Sequence, residues 1–182
     1  MENQNFNKSY DELHAPRHNK TVAFLQNHIG IHETILDLGV SNNISTKLQD
    51  YGYKLLNTPN NIDLDLNYEI IKKLDYTVLT AFQIFEHLVS PFPILNETKA
   101  KKLVASVPTS FWFTTAYWNE NDPFDRHYHE FEPRQFDMLL NKAGWKIVAK
   151  EHWISKPKRI TGVRSFLTSR TPRHYIVYCE RN

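Results

Sequence analysis

"ILDLGVSNNIS", residues 35–45, decides how the rest of the chain is read. A short apolar run ends in a glycine, and two asparagines precede the next apolar position. This predicts a strand, a tight turn and a helix start. Gly39 permits a positive φ. Asn42 or Asn43 can accept the free amides of a first helical turn. Ile44, Leu48 and Tyr51 then share a face, and Gly52 ends the helix. In an α/β protein such a turn lies at the carboxyl edge of the sheet, where ligands bind.

Upstream, Val22, Leu25 and Ile29 predict a helix from Pro16 that Gly30 closes, behind a polar extension over residues 1–15. Downstream, "YKLLNT", "IDLDL", "YTVLTAF" and "KKLVASVP" read as strands. A short helix capped by Asn67 precedes the "YTVLTAF" strand, and another follows Glu86, kept short by Pro91 and Pro93. "EPRQFDMLLNKAGW" has Pro133 at a helix start and Gly144 at its end. "WKIVAKEHW" and "RHYIVYCER" are two strands with no helical pattern between them, an antiparallel pair at one edge. The expectation is an α/β three-layer sandwich over residues 16–182. Its sheet is mostly parallel and seven-stranded, with a C-terminal antiparallel hairpin and helices on both faces.

Length and composition agree with one packed domain. The chain has 182 residues, 41% hydrophobic and 23% charged, a globular rather than disordered balance. No apolar run approaches the ~20 residues of a membrane span, and the N-terminal stretch has no apolar signal core. The one cysteine, Cys179, lies in the apolar run "YIVYC" and reads as core, so no internal disulfide forms and a reducing, cytoplasmic location is expected. Charge is uneven. Residues 152–179 hold six basic residues and no acid, and the remainder carries 16 basic against 20 acidic residues. Segment 156–173 can therefore meet an anionic partner, or it can be a solvated loop.

Four stretches in this order resemble the class I S-adenosylmethionine (SAM) dependent methyltransferases across nearly the whole chain. "ILDLG" looks like that family's first motif and "DLDLN" like its acidic turn. "DYTVLTAFQIFEHLVSP" is similar to its fourth strand with the Glu-His pair that follows, and "VASVPTS" with "HYHEFEPRQFDMLLNKAGW" to its fifth strand and late helix. The resemblance implies SAM as cofactor. It implies that Asp37 braces the loop, that Gly39 and Ser41 border the methionine portion, that Asn57 meets the ribose hydroxyls, and that Asp65 with Leu66 faces the adenine. Phe82 and Gln83 complete the cofactor side, and Glu86, His87 and His129 are the implied catalytic residues. Ser41 and Asn43 stand where the family has glycines, and Asn57 where it has an acid. "EHL" with "HYHEF" also resembles the metal-dependent RNA 2′-O-methyltransferases, which use two glutamates and two histidines. Gln83 stands at the first glutamate position, and no metal ligand is assigned. A dinucleotide site is excluded, since G-x-G-x-x-G and its following acid are both absent. "SFWFTTAYW" reads as an aromatic wall or lid, or as packing. The expected function is methyl transfer to an unidentified small-molecule or polymer acceptor. The alternative is a non-catalytic relative that has lost SAM and serves as a scaffold.

Overall fold

The computed structural model describes residues 2–154 and 160–181, with side chains from His14 onward. Within the basic segment 156–173, residues 156–159 lie outside the described residues. The first helix, α1 (Glu2–His28), runs through Pro16 rather than starting there. Its C-terminal half packs Val22 and Leu25 inward, with Ile29 just past its end, the face expected from their spacing.

Among the described residues, six strands form one mixed sheet in the order β2-β1-β3-β4-β6-β5. They are β1 (Thr34–Asp37), β2 (Lys54–Asn57), β3 (Val78–Phe82), β4 (Lys102–Pro108), β5 (Lys146–Trp153) and β6 (His174–Glu180). The first four are parallel, and β6 is antiparallel to both β4 and β5. The expectation of seven strands is corrected to six among the described residues. "IDLDL" is not a strand, because Asp63 accepts the Asp65 amide at 2.9 Å and caps a short helix, α3 (Leu64–Asn67). The same Asp/Leu alternation that suits a strand offers a side-chain acceptor at each second residue, and the local cap wins. The C-terminal hairpin forms as expected, with its last strand inserted between β4 and β5.

Helices cover both faces. α1 and α2 (Asn43–Asp50) bury Leu25, Ile29, Ile44 and Leu48 against one side of the sheet. On the other side lie α4 (Ile70–Lys73), α5 (Phe92–Glu97), α6 (Pro133–Lys142) and a single 3-10 turn, Phe85–His87. A further short helix, α7 (Val163–Thr168), lies in the connection from β5 to β6. Phe136 of α6 is fully buried with its ring 5.2 Å from Phe131 and 6.1 Å from Phe85. It therefore supports both the turn after β3 and the long irregular segment after β4. Phe136→Ala should cost about 3–5 kcal/mol of unfolding free energy in urea titration. A loss under about 1 kcal/mol would mean that this layer repacks freely.

Candidate active site at the carboxyl end of the sheet

The parallel register sets Asp37 beside Asn57 on β2 and Thr80 on β3. Its buried carboxyl accepts hydrogen bonds from Thr80 Oγ1 at 2.7 Å and Ser45 Oγ at 2.9 Å, with Asn57 Nδ2 at 3.4 Å. Burial drives the group up to about 6 against those bonds. Asn57 turns inward, with Nδ2 also 3.4 Å from the Gly39 carbonyl, so it braces the loop. Gly39 donates its amide to Thr58 Oγ1 at 2.8 Å. It has φ +90°, and a Cβ there would come within 3.0 Å of Ile84 Cδ1. Asn42 caps α2, accepting the amides of Ile44 and Ser45.

Two clefts flank this loop and meet at Val40, Ile84 and His87. The first, about 960 Å³, is walled by Gly39, Thr58, Asp65, Leu66, Leu88 and Tyr128 among others. Asp65 lies in that wall and accepts the amides of Val89 and Ser90, both at 2.8 Å, fixing the chain after the 3-10 turn. The second, about 910 Å³, receives Ser41, Phe82, Gln83, Glu86 and His127. Gln83 holds φ +58°, a left-handed conformation uncommon outside glycine, and its amide donates to the Ser106 carbonyl at 2.9 Å. This sharp turn directs Glu86 and His87 into the cleft.

Glu86 is buried, Oε2 has no hydrogen-bond partner, and burial pushes its carboxyl up to about 8. His87 donates Nδ1–H to the Arg126 carbonyl at 3.2 Å. His127 donates Nδ1–H to Glu130 at 3.3 Å, whose carboxyl is held below its ordinary range chiefly by Arg173, 2.9 Å away, against the cost of burial. Burial lowers both histidines. Each is therefore neutral, with a lone pair on Nε2. The rings meet edge to face at 4.9 Å. Ligand atoms of Glu86, His87 and His127 all lie within 4.8 Å of one another.

His129 is not brought to this group. Its Nε2 is 3.1 Å from the Val89 carbonyl, its ring stacks on Phe131, and it lines neither cleft. In an extended stretch, residues two apart normally share a side. Here both the Tyr128 and His129 amides converge on the Glu86 carbonyl, and that kink separates the two histidines. The sequence reading also missed Glu130, and Arg17, His18 and His174, which line the second cleft from α1 and the start of β6; Arg173, the last residue of the basic segment, lines it with them. Their separation along the chain left no local signal. In the aromatic segment, Phe111 is buried, Trp112 is exposed and Tyr117 reaches the second cleft.

No protein-family profile matches the chain, and no curated protein sequence matches it. Solved structures do. A SAM-dependent methyltransferase from Methanosarcina mazei is 12% identical, with 87% of this chain and 96% of that one aligned at a TM-score of 0.61. Geranyl diphosphate C-methyltransferase from Streptomyces coelicolor A3(2) is 12% identical over 90% of this chain and 78% of that one, TM-score 0.58. The glycopeptide N-methyltransferase MtfA is 9% identical over 91% and 94%, TM-score 0.57. The chain has the class I SAM-dependent methyltransferase fold.

Asp37 gives this loop a pH signature. Its folded-state value of about 6 lies above the ordinary 3.8, so the fold keeps a proton that the unfolded chain has released. The stabilisation is complete below the unfolded value and fades as pH rises through the folded one, by on the order of 3 kcal/mol. Urea titrations of wild type and Asp37→Asn from pH 4 to 7 should differ in slope by this component. Parallel profiles would contradict the buried, proton-retaining carboxyl.

Proposed function

We propose that this protein is a SAM-dependent methyltransferase whose cofactor lies across the two clefts. The observation that carries the reading is their junction at Val40, Ile84 and His87, at the carboxyl end of a class I methyltransferase sheet. The adenosine portion fits the cleft walled by Asp65, Leu66 and Leu88. The methionine portion passes Ser41, Phe82 and Gln83 toward the start of α2. Asp37 and Asn57 act beneath the loop, holding its shape. Methyl transfer from a sulfonium is an in-line displacement, so the protein mainly positions acceptor against donor.

Glu86 and His87 stand at the acceptor side, and His127 takes the place expected for His129. His127 Nε2 is free to accept the acceptor's proton, with Nδ1–H held by Glu130 as orienting partner. This suits a hydroxyl or amine acceptor. A second reading has one observation in its favour: Glu86, His87 and His127 converge as three ligands, with both Nδ1 atoms tied back by second partners. A divalent cation held there would polarise a hydroxyl acceptor.

SAM or S-adenosylhomocysteine should raise the melting temperature, by the equivalent of about 2.7 kcal/mol at a hundredfold excess over Kd. No shift at millimolar ligand favours the scaffold alternative. His127→Ala should lower turnover at least a hundredfold and leave SAM affinity within about threefold, while His129→Ala retains turnover. The reverse ranking contradicts the assignment. Turnover abolished by a chelator and restored by Mn²⁺ supports the cation reading, whereas unchanged turnover leaves His127 as the base.

A further inference from the structure

The connection between β5 and β6 exposes three large apolar side chains. Ile160, Val163 and Phe166 are 59%, 77% and 41% exposed. No residue of α7 is fully buried, and of its apolar residues only Leu167 is half-buried. Val163 and Phe166 are one turn apart and share a face. Arg164 stands beside them, and the Arg170 guanidinium lies 4.4 Å from the centre of the Phe166 ring. Residues 152–179 contain no acid. The connection leaves the sheet at Trp153 and returns at His174, which are in register with each other and with Pro108 at the end of β4. Its described part, residues 160–173, therefore lies at the same end as the clefts, and Arg173 and His174 line one of them.

Apolar side chains gathered in water beside cations mark an interaction face. A nucleic-acid strand and an anionic bilayer would both answer the charge. A strand would be held by stacking, but the one aromatic ring in the connection is already covered by Arg170. Ile160 and Val163 gain little from phosphates or base edges. A bilayer interface takes both kinds of group, with aliphatic chains at the acyl boundary and guanidinium groups among the headgroups. We propose that residues 160–170 of the β5–β6 connection are an interfacial docking element for an anionic lipid surface, which brings the mouth of the clefts against the bilayer. This stands apart from the methyl-transfer reading, since neither SAM nor the catalytic residues enter it.

Co-sedimentation of the full chain tests it, with phosphatidylcholine vesicles and with vesicles containing phosphatidylglycerol. Binding is expected only to the anionic vesicles, and it should weaken steeply between about 50 and 500 mM salt. Val163→Asp with Phe166→Asp, and separately Arg164→Gln with Arg170→Gln, should each lower binding at least tenfold. Both pairs are exposed, so circular dichroism and melting temperature should not change. Equal binding to neutral vesicles, unaltered binding by either variant, no binding to either vesicle, or binding to single-stranded RNA without vesicle binding would each overturn the proposal.

Discussion

The buried carboxyl of Asp37 is the constraint on which the site depends. It ends β1 and accepts hydrogen bonds from β3 through Thr80, from α2 through Ser45 and from the end of β2 through Asn57. Three strands and α2 are thus fixed to one another at a single point under the loop. Burial makes the ionised group costly, and three donors offset part of that cost. The loop above it needs Gly39 for two reasons, its positive φ and the approach of Ile84. Ser41 and Asn43 hold no positive φ, so each can carry a side chain without backbone strain.

The other side of the site rests on a second set of ties. The left-handed turn at Gln83 sets Glu86 and His87 in the wall of the second cleft. The Glu86 carbonyl in turn receives the amides of Tyr128 and His129, so the irregular segment after β4 is anchored to the turn after β3. Glu130 joins that segment to β6 through Arg173 while it sets the His127 ring. Parts distant in sequence are therefore positioned together, and the clefts sit between them.

Much of the layer order was legible in the sequence because it depends on local periodicity. The strand at 35–37, the α2 cap and the late helix from Pro133 to Gly144 each follow from a few adjacent residues. The misreading of "IDLDL" came from a competition that alternation alone does not resolve, side-chain capping against strand pairing. The lining of the clefts was legible where one loop carries it, as at Gly39 and Glu86–His87. It was not legible where the chain folds back on itself. The choice between His127 and His129 turns on a kink set by the Glu86 carbonyl, and Arg17 reaches the cleft from a helix far upstream.

The most direct measurement is a crystal structure of the protein grown with S-adenosylhomocysteine. The account predicts the adenine against Leu66 and Leu88, the sulfur on the side of Glu86 and His127, and the amino-acid end beside Ser41. Ligand bound elsewhere, or both clefts empty at saturating concentration, would contradict it.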